Sequence, residues 1–230
     1  MKLGYAVAAI MLACVTPASA KPIFLSPQDY DPKLILPAPP ADGTPASQAE
    51  LAELKRIEAS RTAAQFAQAL SDDETENPTI FKVVLGDGFD LKALPATAKL
   101  LADVRNDEKE AASAAKNFFL RNRPWILDPS LKTCARDDPP KSSYPSGHST
   151  MGYSMAVVLA ALVPEKAQAI MARADSYAEN RLVCSMHFRR DIVAGQTLGT
   201  AVGVMLLHNA QFRVEFDAAE QELKSAHIAQ

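Results

Sequence analysis

The chain has 230 residues, 48% of them hydrophobic, with 24 Lys and Arg against 27 Asp and Glu for a formal net charge of −3. That length and apolar content suit one compact domain with a substantial core and leave little room for a second. The mild acidic excess, with no basic face or tail, argues against a nucleic-acid partner.

Residues 1–20 carry the pattern of an export signal: Lys2 at the start, an almost unbroken apolar run from Tyr5 to Val15, and Ala18-Ser19-Ala20 as a small-residue cleavage site. The mature chain would begin at Lys21 and be periplasmic or secreted. Cleavage removes one lysine, no acid, and Cys14. The two cysteines that remain, Cys134 and Cys184, point in an exported protein to one disulfide. Such a bridge would tie the loop before Ser146 to the segment joining Arg181 to His187.

Residues 21–46 hold seven of the sixteen prolines, Pro37, Pro39 and Pro40 among them, a density that removes backbone donors and blocks helix. The expectation is an extended arm laid over the domain, with Ile23, Phe24, Leu25, Leu34, Ile35 and Leu36 available for burial. From Ser47 onward Leu51, Leu54, Ile57, Phe66 and Leu70 recur at helical spacing. Further helices are predicted at Asn77 to Leu85, Leu91 to Asn122, His148 to Val163, Glu165 to Val183 and Arg189 to Lys224, the longer ones broken once. Strand signals are nearly absent. Residues 47–230 therefore read as an all-α, single-domain helical bundle. Past the signal, no apolar run reaches the roughly 18 residues a bilayer crossing needs, so no membrane insertion is expected.

Three clusters along these elements carry chemistry. Lys116 and Arg123 are seven apart, two helical turns, and would project from one face, with Pro124 halting the helix at Arg123. Ser146-Gly147-His148 stands where a polar loop meets an apolar helix; Ser146 is placed to cap it, Gly147 lets the backbone approach a ligand, and the amides at the helix start attract an anion. Arg181 closes the next helix. His187 and Asp191, four apart, would stack on one face of the helix after that, the carboxylate fixing the imidazole tautomer. The six-residue step from Arg181 to His187 requires a turn near Cys184-Ser185-Met186. Taken singly, each cluster has an ordinary reading as solvated charge or a capped helix. Gly195, Gly199 and Gly203 line one face of the last long helix, which suggests close packing against another helix.

The joint order and spacing of these residues resembles the phosphatidic-acid-phosphatase type 2 superfamily of acid phosphatases, lipid phosphatases and vanadium haloperoxidases. Its signature runs Lys, six residues, Arg-Pro; then Pro-Ser-Gly-His; then Ser-Arg, five residues, His, three residues, Asp. Lys116, Arg123-Pro124, Pro145-Ser146-Gly147-His148, Arg181, His187 and Asp191 fit it, and Asn180 stands where the signature has serine. Within that superfamily the chain is similar to bacterial class A nonspecific acid phosphatases. The resemblance implies an all-helical fold and broad hydrolysis of small phosphate monoesters, with some transfer of phosphate to alcohols, through a phosphohistidine. It implies His187 as nucleophile, Asp191 as its orienter and His148 as general acid and base. Lys116, Arg123, Ser146, Gly147 and Arg181 would hold the phosphoryl oxygens.

Three fixed cations can neutralise a phosphoryl group without a metal or other cofactor. Neither a Cys-x-x-Cys nor a His-Glu-x-x-His pattern occurs, and His208 and His227 read as structural or solvent-facing. Two alternatives remain at this level, a vanadate-dependent haloperoxidase and a non-catalytic phosphate-binding protein. A homo-oligomer also stays open.

Overall fold

A computed structural model describes residues 23–230; the export signal and its cleavage site lie outside them. No strand occurs among the described residues. The helices are α1 (Pro32–Ile35), α2 (Pro45–Ser60), α3 (Ala63–Glu74), α4 (Lys82–Leu85), α5 (Pro95–Phe119), α6 (Pro124–Leu127), α7 (Gly147–Leu162), α8 (Ala167–Val183), α9 (Arg189–His208) and α10 (Ala210–Ser225). Short 3₁₀ turns at Pro78–Phe81 and Pro164–Lys166 lead into α4 and α8. No described helix is long and apolar enough to cross a membrane.

Local chemistry sets most boundaries. Pro45 opens α2 behind Thr44, whose hydroxyl accepts from the Ser47 amide, and Thr62 with Gln65 forms a reciprocal capping box that starts α3. Asn209 breaks the predicted span Arg189 to Lys224: its side-chain oxygen accepts from the amides of Gln211 and Phe212 and begins α10 afresh.

One boundary departs from expectation. The predicted helix Leu91 to Asn122 begins only at Pro95, since the residue before a proline avoids helical backbone. It ends at Phe119, where Leu120 turns left-handed with φ 50°. The helix therefore stops before Arg123, and the idea that Lys116 and Arg123 share one helical face is corrected. Arg123 instead precedes α6 in extended backbone.

At the centre lies α7, apolar nearly all round, with α8, α9 and α5 packed against it; α10 packs on α5 and α9. The α7–α9 contact is unusually close because α9 presents glycines. A Cβ added at Gly195, Gly199 or Gly203 would come within 2.6 Å of Ser146 O, 2.3 Å of Thr150 O and 2.8 Å of Val157 Cβ. These distances explain the stripe as packing.

The proline-rich arm is not extended throughout, since Asp31 caps the single turn of α1. Its first residues are fastened to α5: the amides of Ile23, Phe24 and Leu25 all donate to the carboxylate of Asp107. Phe24 packs edge-on to Phe212 with centroids 5.4 Å apart, and Leu25, Tyr30 and Leu36 are buried. Tyr144 Oη donates to Pro37 O at 2.6 Å, joining the arm to the loop before Ser146.

Candidate active site

Each cluster reaches the site from a different element. Lys116 comes from the last turn of α5, Arg123 from the turn before α6, and Ser146-Gly147-His148 from the entrance of α7. Arg181 comes from the last turn of α8, and the link between α8 and α9 delivers His187. Ser146 caps α7 by accepting from the Ser149 amide at 3.3 Å, and its own amide donates to Asp191 O at 3.0 Å. That bond fastens the start of α7 to the start of α9.

His187 stands two residues ahead of α9, so it does not stack with Asp191 on one helical face as the spacing suggested. Asp191 occupies the first turn of α9 and accepts from the Phe188 amide at 2.8 Å, a short-range cap. Ser185 takes a left-handed conformation, φ 52°, giving the turn that the Arg181-to-His187 step required.

Lys116, Arg123, Gly147, His148 and His187 line a common cavity of about 170 Å³. Arg123, almost wholly buried, places Nη1 2.9 Å from His187 Nε2 and donates from the same nitrogen to Met186 O at 3.1 Å. Its other edge meets Asp138 at 3.0 Å and Ser142 Oγ. Arg181 pairs with Asp73, and its Nε is buried without a partner. Lys116 Nζ would lie only 3.3 Å from a Cβ at Gly147, so any side chain there would press on the ammonium.

The electrostatics follow from burial among cations. The pKa values of His187 and His148 both lie well below the ordinary histidine value. Burial is the main cause for each; Arg123, Arg181 and Lys116 add to it at His187, and Arg181 and Lys116 at His148, where an Asp73 carbonyl opposes. Lys116 is lowered to about 8 by burial and by Arg123. Asp191, fully buried, is pushed up to about 6 by desolvation, against the pull of Arg121, Ser143 and the Phe188 amide.

His187 Nδ1 lies 2.8 Å from Ser143 O and 3.5 Å from Asp191 Oδ2. A carbonyl can only accept, so Nδ1 carries the proton and the lone pair belongs to Nε2, beside Arg123. The nearer acceptor is therefore a backbone carbonyl, with Asp191 one step behind it, accepting from Ser143 Oγ at 2.6 Å. His148 Nε2 lies 3.1 Å from Asp73 O, and its Nδ1 is 3.7 Å from Glu76 Oε1.

Several contributors escape a reading of the sequence. Arg121, buried, bridges Asp191 and Glu50 of α2 and stacks over Phe188 at 4.3 Å. Asp73, Glu76 and Asp138 supply the carboxylates around the cations. Cys134 and Cys184 form the expected disulfide, reinforced by Cys134 N donating to Cys184 O at 3.2 Å. Asn180 donates to Asp72 at 2.7 Å, within a network that also includes Arg173. His208 and His227 are exposed, away from the cavity. No cluster of three or more metal-capable side chains occurs among the described residues.

Lys116 and Arg123 converge with two imidazoles on this cavity, while Ser146 and Arg181 lie behind its lining, Arg181 close enough to depress both histidines; such an arrangement suits a tetrahedral oxyanion. Comparison with known proteins agrees. The PAP2 superfamily model matches residues 104–215. The chain is 30% identical over 206 residues to an acid phosphatase of Zymomonas mobilis, covering 86% of this chain and 78% of that one. It is 28% identical over 223 residues to a non-specific acid phosphatase of Salmonella typhimurium, covering 93% and 89%. The crystal structure of Aquifex aeolicus LpxE shares the fold at a TM-score of 0.54 and 20% identity, covering 67% of this chain and 92% of that one. With kinship extending over most of both chains and a cavity of matching chemistry, the protein belongs to the PAP2 superfamily and is one of its acid phosphatases.

Proposed function

We propose that the protein hydrolyses a broad range of phosphate monoesters in two metal-independent steps through a phosphohistidine on His187. The observation that carries this reading is the Nδ1 contact with Ser143 O, which puts the lone pair of His187 on Nε2, where it accepts from Arg123 Nη1 at 2.9 Å until a phosphoryl group draws that guanidinium away. In the first step Nε2 attacks phosphorus and the bond to the alcohol oxygen breaks, while His148 passes a proton to that oxygen. In the second, water attacks the phosphohistidine, His148 takes its proton, and inorganic phosphate forms. Lys116, Arg123, Arg181, Ser146 and the Gly147 amide hold the equatorial oxygens, so that charge is neutralised by groups already in place.

The acid character has an electrostatic basis. His187 must be neutral to attack, and burial among cations keeps it so into the acid range. His148 must be protonated, and an incoming phosphoryl dianion offsets the cations that depress it. Recognition concentrated on the phosphoryl group, which every monoester shares, supports breadth of substrate; other alcohols could replace water in the second step. A periplasmic or secreted location is supported by the Cys134–Cys184 bridge, because such bonds persist in oxidising compartments.

The test is hydrolysis of p-nitrophenyl phosphate with chelator present. Wild-type protein should be unaffected by the chelator and should yield acid-labile protein-bound phosphate on quenching. His187→Ala should lose about a thousandfold or more in kcat and give no trapped phosphate. Undiminished turnover in that variant would remove His187 as nucleophile.

A further inference from the structure

The cavity continues beyond its cationic end along a wall that the proposed chemistry leaves unused. On α5, Arg105, Glu108, Lys109, Ala112, Ser113 and Lys116 follow one another at steps of three and one, forming one helical face along the cavity. Glu108 sits two turns before Lys116, roughly 12 Å along the axis. Its side chain is wholly buried. Arg105 holds Oε1, while Oε2 is buried without a partner.

A carboxylate oxygen in that state is costly unless something meets it in the working protein. Burial pushes Glu108 up to about 7 even though Arg105 opposes the shift. Its place in the site follows from a short relay. Arg105 also meets Glu76 at 3.0 Å, and Glu76 Oε1 is 3.7 Å from Nδ1 of His148, the imidazole assigned above to protonate the departing oxygen. The alcohol released at His148 therefore faces the wall that ends in Glu108. Arg105, Lys109 and Lys116 surround this wall with positive charge, which disfavours a cationic alcohol. Glu76, Ser113 and the free Glu108 oxygen offer hydrogen-bond acceptors to a neutral one.

We propose that this wall is a subsite for leaving alcohols carrying their own hydroxyl groups several bonds from the phosphoryl group, and that Glu108 Oε2 accepts a hydrogen bond from such a hydroxyl. The subsite rests on the assignment of His148 and His187 above, and makes Glu108 a determinant of substrate preference within a broad range.

Two esters with the same ring and methylene skeleton separate the hydroxyls from mere size: glucose 6-phosphate and cyclohexylmethyl phosphate. Assayed at about pH 7.5, above the value of about 7 to which burial raises Glu108, wild-type kcat/KM should favour the sugar ester by about tenfold or more, the scale of one hydrogen bond to a charged group. Glu108→Gln, which loses the ion pair with Arg105 and the anionic acceptor, should cut that ratio by about tenfold. Glu108→Asp keeps the charge but withdraws it by one methylene, and should shift the ratio in the same direction if the glutamine variant does not fold. Using the ratio cancels any general loss of active protein, which a purely structural role would produce. A wild-type preference below twofold, or a ratio unchanged in a folded variant that still hydrolyses p-nitrophenyl phosphate, overturns the subsite alone. Wild-type protein inert toward all three esters would overturn the site assignment and the subsite with it.

Discussion

At the residue scale, burial does most of the tuning and nearby like charge adds to it. Lys116 titrates near 8 because it is buried beside Arg123, so its charge is complete in acid and fades through the mildly alkaline range. His148 loses its proton at still lower pH in the free protein. Given the proposed roles, both changes would weaken phosphoryl binding or transfer as pH rises. The expected kcat/KM profile for p-nitrophenyl phosphate therefore peaks below neutrality and falls, with a further loss in affinity above about pH 8; a profile still climbing at pH 9 would contradict the assigned roles. Arg121 marks the limit of the sequence at this scale. It stands two positions before Arg123, yet nothing local separates a buried arginine from a solvated one. Its burial arises because α2 delivers Glu50 from 71 positions away. Lys116, Ser146-Gly147-His148 and His187 were legible because their order is itself informative. Their counter-ions Asp73, Glu76 and Asp138 were not, because folding alone brings them near.

At the element scale, helix existence followed from apolar periodicity and breaks followed from identifiable caps. Asn209 is a strong N-cap and could have marked the start of α10 from the sequence alone. The early end of α5 could not be read, since a leucine in left-handed backbone has no sequence signature. The glycines of α9 show how an element fixes the site. Both α7 and α9 begin at the cavity, and their close contact sets the spacing between His148 and Asp191. Replacing Gly199 by alanine would aim a methyl group at backbone, 2.3 Å from Thr150 O and 3.0 Å from Ser154 N. Backbone cannot rotate away as a side chain can, so overpacking should outweigh alanine's better helix propensity. The expected cost is about 1–3 kcal/mol in urea unfolding, with reduced kcat. Gly88→Ala is the control, because its added methyl would meet Ile228 Cγ1 at an ordinary 3.6 Å; it should change stability by less than about 0.5 kcal/mol.

At the scale of the whole molecule, the bundle is fastened at two ends that the chain order does not suggest. Asp107 gathers three amides of the arm onto the same helix that carries Lys116. The Cys134–Cys184 bridge closes a separation of 50 residues that contains Ser146 and His148. In the loop-closure picture a bridge of that span stabilises the fold by about 4 kcal/mol. A Cys134→Ser, Cys184→Ser double variant should lose stability of that order in urea, and reducing agent should destabilise the wild type but not the variant. Equal sensitivity in both would show that the bridge does not hold the fold. The bridge was readable from cysteine count and export context; the arm's attachment was not, because one buried aspartate among many acids looks like any other.

Arg123 and Arg181 each rest against a carboxylate, Asp138 and Asp73, before any substrate arrives. If these arginines hold the phosphoryl group as proposed, an entering substrate would have to share or displace these acids, which would reclaim the guanidinium groups once hydrolysis is complete. On the proposed roles, product release would be assisted by the pocket itself: the same anions that blunt its grip on free phosphate would reset it for the next turnover.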